Sequence, residues 1–246
     1  MLAGLDPMRT RVHAVIAVKR LGLAKSRLGD TLAPAVRRQL VLAMLADTGA
    51  AAGAASAVVS ITVVSPDRRV RDAVTEWGWW ALAEPPNRAA PGVGGLNAAL
   101  QFAASRTRRR HGPGAILAVQ ADLPALRPAE LTAFLAAAPG GRRSFVADQH
   151  GVGTTALLQP DPTGSLDPRF GPRSADRHRA AGAAEPSGEW PGLRHDVDTA
   201  ADLAVSHRLG TGPTTAGLLR EIVDMGWQGP KFPTGSALWG CPGSAP

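Results

Sequence analysis

The chain has 246 residues and a formal charge of +7, from 27 Lys and Arg residues against 20 Asp and Glu residues. Its single cysteine, Cys241, excludes an intrachain disulfide and a cysteine-based metal cage, and is typical of a reducing cytoplasm. No apolar run approaches the roughly 20 residues that span a bilayer, and the first residues lack a signal-peptide pattern, so we expect a cytoplasmic protein.

The positive charge is compatible with nucleic acid, a membrane surface or small polyanionic substrates as partners. A dense basic run at residues 106–110 falls where a helix should end, close to the negative end of that helix. No aromatic residues interleave with this run, as they do in many stretches that bind nucleic acid. We therefore interpret it as a solvated helix end, and we expect neither nucleic acid nor a membrane as a partner.

Segments with strand patterns and helix patterns alternate along most of the chain. Strands are predicted at residues 13–18, 57–64, 79–83, 115–119, 143–148 and 151–158. Helices are predicted at residues 34–46, 67–76, from 96 onward, and at 128–137, 175–181 and 199–209. This alternation is typical of an α/β fold with a mostly parallel sheet and helices on both faces. We expect one domain over residues 11–221, followed by a disordered tail over residues 222–246 that is rich in Gly and Pro.

The first predicted strand leads directly into residues 19–27, which we call the basic loop because they include Lys19, Lys25 and Arg27. In nucleotide-binding α/β folds, phosphates bind at the loop after the first strand. The basic loop matches neither G-x-G-x-x-G nor G-x-x-x-x-G-K-[ST], which excludes a dinucleotide fingerprint and a P-loop. Its charge predicts either phosphate binding by side chains or a solvated basic turn. Asn97, in the first turn of a helix, is either a reader of a base or ribose edge or a plain capping residue.

The apolar run Ala115–Val119 predicts a strand buried on both faces, and Pro124 stops any continuation. Asp122 follows the carboxyl end of this strand, at the edge where open α/β sheets bind their ligands. A second acidic pair, Asp196 and Asp198, lies in a predicted extended segment, so both side chains would point to the same side. A divalent cation would relieve their mutual repulsion, while the alternative for Asp198 is to cap the following helix.

Two later stretches offer polar groups to a ligand. Glycines precede Thr154 and Thr155 at the sixth predicted strand, where they allow close backbone approach to a ligand or form a simple hairpin turn. Farther along, Gly171 precedes Ser174, which we predict to be the N-cap of a helix. A helix N-terminus beside a glycine is a ready anion site.

Taken together, the segments 16–28, 120–124, 169–174 and 196–199 resemble the phosphoenolpyruvate / 2-phospho-L-lactate guanylyltransferases of coenzyme F420 biosynthesis. The resemblance covers nearly all of residues 12–215. It implies a single-domain nucleotidyltransferase fold like that of nucleotide-diphospho-sugar transferases. It also implies an enzyme that joins GMP from GTP to phosphoenolpyruvate or 2-phospho-L-lactate and releases pyrophosphate. The product would pass to the next enzyme of the pathway.

The same resemblance assigns roles to particular residues. The ligands of Mg²⁺, which would hold the phosphate of the acid, would be Asp122, Asp196 and Asp198. The contacts to the acid itself, through its carboxylate, would be Thr154 (or Thr155), Gly171 and Ser174. The contacts to the GTP phosphates would be Lys19, Lys25 and Arg27 in the basic loop. Asn97 is added to the predicted GTP contacts because of its place in the first turn of a helix, not because of the resemblance.

Three other functions are alternatives to this one. A glycosyltransferase would use Asp196-Val197-Asp198 to hold the metal of a sugar nucleotide, although such a pair usually lies near mid-chain. A molybdopterin guanylyltransferase should have a glycine-rich first loop, which the basic loop is not. A non-enzymatic nucleic-acid binder would explain the charge but not the three aspartates, and its affinity would fall steeply with salt.

Overall fold

The computed structural model describes residues 10–84 and 95–224. The strands in these ranges are β1 Val12–Ala17, β2 Val58–Val64, β3 Trp80–Leu82, β4 Ala115–Val119, β5 Ser144–Ala147 and β6 Thr154–Gln159. The helices are α1 Pro34–Gly53, α2 Arg68–Glu76, α3 Gly95–His111, α4 Pro128–Ala137, α5 Ser174–Ala180, α6 Pro191–Arg194, α7 Ala200–Leu209 and α8 Pro213–Asp224. The six predicted strands and six predicted helices are present, and α6 and α8 are additional. Among the described helices, none combines the length and the apolar character needed to cross a membrane.

The six described strands form one sheet in the order β3-β2-β1-β4-β6-β5. β1 pairs in parallel with β2 and β4, and β2 pairs in parallel with β3. β6 runs antiparallel to both β4 and β5. The short turn over residues 148–153 allows this pairing of β5 with β6, whereas parallel neighbours need a longer crossover. The predicted α/β class with a mostly parallel sheet is confirmed.

The unbroken apolar run of β4 is buried on both faces of the sheet, as its composition predicts. Leu117 and Val119 pack in a cluster with Phe134 of α4. Ile116 and Ala118 point to the opposite face and pack in a second cluster with residues of α3. Helices therefore cover both sides of the central strand, which leaves only its ends open to a ligand.

The order of the strands determines where that ligand site lies. From β1 the chain moves outward to β2 and β3, and then returns to place β4 on the other side of β1. The connections that follow β1 and β4 therefore run in opposite directions, so a crevice opens between the carboxyl ends of these two strands. Because β6 is antiparallel to β4, its amino end lies at the same edge. Lys19, Asp122 and Thr154 follow or begin these three strands, which brings them to one crevice.

The helix α8 was not predicted, because its first turn contains residues of low helix propensity. The carboxylate of Asp47, in α1, accepts hydrogen bonds from the backbone N–H groups of Thr214 at 3.0 Å and Thr215 at 2.7 Å. This distant side chain satisfies donors that a helix start leaves unpaired. Ile222 is buried in the same helix, so the fold extends past the predicted domain end at residue 221. The remainder of the predicted tail, from residue 225, lies outside the described residues.

Candidate active site

A cleft of about 640 Å³ opens at this edge of the sheet. One part of its lining is the basic loop, and another is the set of Asp122, Asp196 and Asp198, which we call the aspartate triad. A third part, which we call the β6–α5 wall, consists of Asp148, Val152, Gly153, Thr154, Gly171, Pro172, Arg173 and Ser174. Every predicted site residue except Asn97 therefore lines a single cleft.

The aspartate triad comes from two distant parts of the chain. Asp122 lies just beyond β4, whereas Asp196 and Asp198 lie between α6 and α7. One carboxylate oxygen from each of the three lies within 4.8 Å of the others. The backbone N–H of Val197 donates to the carbonyl oxygen of Asp122 at 3.0 Å, which joins the two segments. Residues 196–198 are not in a strand, so the predicted strand geometry was wrong and this backbone contact aligns the pair instead.

The structure also decides between the two interpretations of Asp198. Thr199 is the N-cap of α7, and its side chain accepts a hydrogen bond from the N–H of Asp202. The carboxylate of Asp202 in turn accepts from the N–H groups of Thr199 at 2.8 Å and Asp198 at 3.1 Å. This capping box provides hydrogen-bond partners for the backbone N–H groups at the start of α7. The carboxylate of Asp198 is therefore not needed as a cap and can face the cleft.

The electrostatics of the triad fit a bound cation. Burial, as the larger cause, and the neighbouring charges of Asp122 and Asp198 together raise the pKa of Asp196 to about 7. The Oδ1 atom of Asp122 is buried and has no hydrogen-bond partner among the described residues. Oxygen ligands of this kind suit a hard divalent ion such as Mg²⁺ or Ca²⁺, whose charge would offset the crowding of three carboxylates.

Lys25 contacts the aspartate triad directly. The basic loop is anchored on the core by buried Leu21 and Leu28, and Lys25 lies between two short 3₁₀ turns with a left-handed φ of 54°. Its Nζ donates to a carboxylate oxygen of Asp122, and to Oδ1 of Asp198 at 2.8 Å. The structure pairs Lys25 with two of the three aspartates, and its contact with GTP phosphates stays a prediction.

This pairing sets the charge states of both partners. Burial opposes the charged form of Lys25, but the carboxylates of Asp122 and Asp198 raise its pKa well above the ordinary value. Burial likewise opposes ionisation of Asp198, yet the charge of Lys25 holds the pKa of that carboxyl below its usual value. Arg27, largely exposed, lies farther away, with Nη1 at 3.7 Å from Asp198 Oδ2. Lys19 also lines the cleft, so two cations of the basic loop remain for an anionic ligand.

The alternation of side chains along β6 separates the two candidate threonines. Thr154 lines the cleft. Thr155 points to the other side of the strand, where its hydroxyl donates to the carbonyl oxygen of Val146 at 3.4 Å. Only Thr154 is therefore in a position to contact a ligand in the cleft.

Gly171 and Ser174 lie in the turn that enters α5. Gly171 has a φ of 120°, a conformation that L side chains rarely adopt, and an added Cβ would lie 2.9 Å from the guanidinium of Arg177. Ser174 is the first helical residue, and Arg173, with a left-handed φ of 53°, is the N-cap. The predicted N-cap role of Ser174 was wrong by one position, although Ser174 does line the cleft.

Asp148 is a component of the site that the sequence analysis missed. Its carboxylate accepts hydrogen bonds from the backbone N–H groups of His150 at 3.1 Å, Val152 at 2.9 Å and Gly153 at 2.8 Å. An added Cβ at Gly153 would lie only 2.4 Å from Asp148 Oδ2. Asp148 thus stabilises the turn before Thr154. In the sequence, an Asp followed by two nearby glycines could have indicated such a turn.

The side chain of Asn97 binds the backbone of a distant segment. Its side-chain nitrogen donates to the carbonyl oxygen of Phe170 at 3.0 Å, and its side-chain oxygen accepts from the N–H of Phe170 at 2.8 Å. Asn97 therefore neither caps α3 nor lines the cleft, and it holds the backbone just before Gly171. The contact of Asn97 with GTP stays a prediction.

Comparisons with known proteins are consistent with this geometry. A protein of Nocardia farcinica named phosphoenolpyruvate guanylyltransferase is 55% identical over 216 residues, which cover 88% of this chain and 92% of that protein. Phosphoenolpyruvate guanylyltransferase 1 of Rhodococcus jostii is 47% identical over 222 residues, which cover 87% of this chain and 95% of that protein.

Among solved structures, the fold is similar to that of a putative nucleotide-diphospho-sugar transferase from Desulfovibrio desulfuricans. The TM-score is 0.65 at 16% identity, over 88% of this chain and 96% of that chain. The match confirms the nucleotidyltransferase fold. Residues 12–170 match the family described as "Guanylyl transferase CofC like". Because this match covers more than half of the chain and the relatives are this similar, the chain belongs to the CofC-like guanylyl transferase family.

Proposed function

We propose that this protein is a phosphoenolpyruvate guanylyltransferase of coenzyme F420 biosynthesis. It would transfer GMP from GTP to phosphoenolpyruvate and release pyrophosphate, leaving enolpyruvyl-diphospho-guanosine. The observation that carries the proposal is one cleft that combines the basic loop, the aspartate triad and the β6–α5 wall. The names of the relatives favour phosphoenolpyruvate over 2-phospho-L-lactate as the acid, and they argue against a glycosyltransferase.

The sheet order supports a division of the cleft between two substrates. The basic loop follows β1, Asp122 follows β4 and Thr154 begins β6, and these three strands are neighbours in that order. GTP phosphates at Lys19 and Arg27 and a small acid at the β6–α5 wall would therefore meet beside the aspartate triad. Bringing two mutually repelling anions into line is the main task of the protein in such a transfer.

The aspartate triad fits Mg²⁺ because it offers three close carboxylates, and because Oδ1 of Asp122 is buried without a partner among the described residues. The ligands would be Asp122, Asp196 and Asp198. Mg²⁺ bound there would supply positive charge for the phosphate groups and for the departing pyrophosphate. The cation would also relieve the repulsion that raises the pKa of Asp196, since an ionised carboxylate is the form that binds a metal.

In the reaction, a phosphate oxygen of the acid forms a bond to the α-phosphorus of GTP. The bond between this phosphorus and the oxygen that bridges to the β-phosphate breaks, and its electron pair leaves with pyrophosphate. The attacking phosphate oxygen is already ionised near pH 7, so no side chain has to remove a proton. Thr154, Gly171 and Ser174 would orient the acid through its carboxylate, while Asn97 would shape the wall through Phe170.

The test is to incubate the protein with GTP, MgCl₂ and either phosphoenolpyruvate or 2-phospho-L-lactate, and to measure pyrophosphate release. The next enzyme of the pathway is added in a parallel reaction. It takes up the labile product, so that repeated turnover becomes visible. Asp122→Asn protein serves as the control for contaminating activity. The expected result is pyrophosphate release in the reaction with phosphoenolpyruvate and none in the reaction with 2-phospho-L-lactate. Release with 2-phospho-L-lactate alone would change the assigned acid, and release with neither would contradict the proposed function.

A further inference from the structure

His178 is a buried residue whose ring lies directly behind the β6–α5 wall. It is in α5, one turn after Ser174, and is 1% exposed. The rings of Phe145 and Phe170 contact it, with centroids 5.6 and 5.5 Å from the His178 centroid. The ring is therefore held in one orientation by apolar contacts, and its two nitrogens have fixed directions.

Each ring nitrogen of His178 has one hydrogen-bond partner. The backbone N–H of Arg169 donates to Nε2 at 3.0 Å, and Nδ1 lies 3.0 Å from Oγ1 of Thr154. A backbone N–H can only donate, so Nε2 must accept and cannot carry a proton. A neutral imidazole with a bare Nε2 carries its proton on Nδ1. Nδ1 therefore donates to Thr154 Oγ1.

The surroundings of His178 keep the ring neutral. Burial is the largest cause that lowers its pKa, and the nearby charges of Arg143, Arg177 and Arg169 act in the same direction. With the opposing effect of Asp167 included, the pKa is about 4. A protonated ring would have a hydrogen on Nε2, which would point at the N–H of Arg169. Geometry and charge therefore agree on the same tautomer.

This tautomer determines what the hydroxyl of Thr154 can do. Oγ1 accepts the hydrogen from His178, so the hydroxyl hydrogen of Thr154 cannot be used in that bond. Within the described part of the chain, Oγ1 has no other hydrogen-bond partner. Because Thr154 lines the cleft, its hydrogen is available to an acceptor there, and an anion is the acceptor that gains most from such a donor.

We propose that His178 is a positioning residue that holds the Thr154 hydroxyl as a hydrogen-bond donor to the anionic group of the acid substrate. The same ring accepts from Arg169, at the start of the turn that carries Gly171 and Ser174, so it ties the two halves of the β6–α5 wall together. His178 does not touch the substrate. The inference rests on the proposed function, which places a small acid at this wall.

Two substitutions separate the two hydrogen bonds of His178. In His178→Asn the amide nitrogen is as far along the side chain as Nδ1, so it keeps a donor for Thr154 but cannot reach Arg169. In His178→Gln the amide oxygen is as far along as Nε2, so it keeps an acceptor for Arg169 but provides no donor at the Nδ1 position. We expect His178→Gln to raise KM for the acid about 10- to 100-fold, as for a lost hydrogen bond to a charged group, with KM for GTP unchanged. His178→Asn should raise KM for the acid by no more than about threefold.

Thr154→Val provides the matched control. It removes the hydroxyl but keeps the shape, so it should raise KM for the acid by a similar factor. Adding His178→Gln to Thr154→Val should then change KM for the acid little further, because the two residues act through one hydrogen bond. A merely structural role predicts additive effects, and it predicts that the shorter Asn is no better than Gln. Either of these two results would overturn the proposal.

A measurement without substrates separates this inference from the proposed function. In the ¹⁵N spectrum of wild-type protein near pH 7, Nδ1 of His178 should give the resonance of a protonated nitrogen and Nε2 that of a bare nitrogen. The His178 resonances are assigned as those that are missing from the ¹⁵N spectrum of the His178→Gln protein. The opposite tautomer, or a doubly protonated ring, would overturn the inference even if guanylyl transfer is active. Correct signals together with no pyrophosphate release would leave the hydrogen-bond arrangement standing and contradict only the proposed function.

Discussion

Asp196→Asn should stabilise the protein when divalent cations are absent, even though it removes a proposed metal ligand. In the folded protein the pKa of Asp196 is about 7 rather than 3.8, mainly because the carboxyl is buried and secondly because Asp122 and Asp198 are close. In the unfolded chain the same carboxyl ionises freely. Asn has the shape of the neutral acid and has no charge to bury, so it removes this penalty.

The size and pH window of the effect follow from the two pKa values. The penalty is absent below pH 3.8, where the carboxyl is protonated in both states, and it grows until the folded carboxyl ionises near pH 7. At about 1.36 kcal/mol per pH unit, the difference corresponds to at most about 4 kcal/mol. Rearrangement of Lys25 and water will reduce this value, so we expect Asp196→Asn to gain about 2 to 4 kcal/mol at pH 8 and less than about 2 kcal/mol at pH 5.

Urea denaturation of wild type and Asp196→Asn, in EDTA at pH 5 and pH 8, measures this difference. Asp30→Asn is the matched control, because it makes the same change of side chain at an exposed position and should change stability by less than about 0.5 kcal/mol. Added MgCl₂ should then stabilise wild type by about 2.7 kcal/mol at a hundredfold excess over Kd, and the variant by less.

The reasoning is refuted if Asp196→Asn is less stable than wild type at pH 8 in EDTA. It is also refuted if the difference between the two proteins is the same at pH 5 and pH 8, since a titrating carboxyl must produce a slope between these values. Equal stabilisation of both proteins by MgCl₂ would remove Asp196 from the proposed metal site.

Three further predictions concern guanylyl transfer. Asp122→Asn should leave a folded protein and lower the transfer rate at least ~100-fold, because a neutral amide is a poor ligand for Mg²⁺. Ser174→Ala should raise KM for the acid about 10- to 150-fold, by loss of a hydrogen bond to a carboxylate, and should leave KM for GTP nearly unchanged. Gly153→Ala should also raise KM for the acid, because its Cβ would lie 2.4 Å from Asp148 Oδ2 and displace the turn before Thr154.

Steady-state kinetics, with each substrate varied in turn, and thermal denaturation check these three predictions. Gly217→Ala, in α8, is the control for the glycine substitution. A Cβ added at Gly217 would have no atom within 4 Å, so this change should stabilise the helix by up to about 1 kcal/mol. Near-normal rates for Asp122→Asn at saturating Mg²⁺ would contradict the metal assignment. A Ser174→Ala defect confined to GTP would move the acid away from α5, and unchanged kinetics in Gly153→Ala would show that the turn adapts.

The sequence alone predicts the layers of the fold and the position of Asp122. The run Ala115–Val119 has no polar residue, which predicts a strand covered on both faces, and β4 is such a strand. Because Asp122 directly follows it, local order along the chain is enough to place this carboxylate at the ligand edge of the sheet. The spacing of motifs likewise identifies the family, which the relatives confirm.

Only the tertiary structure decided the contacts between residues that are far apart in the chain. Lys25 is 97 residues from Asp122 and 173 from Asp198, and no local pattern distinguishes a cation that pairs with carboxylates from one that faces a phosphate. Asn97 is 73 residues from Phe170, so its role in the wall was equally hidden.

The same limit applies to the polar side chains behind the cleft. A periodic pattern reports which face of an element is buried, but it does not report which polar groups share a hydrogen bond once that face is covered. The tautomer of His178 depends on the N–H of Arg169, and its effect depends on Thr154, 24 residues away. Local order along the chain therefore determined the six strands, six of the eight described helices and the edge that binds ligands. Packing alone decided which charge meets which charge there, because hydrogen bonds and ion pairs form between groups that only the fold brings together.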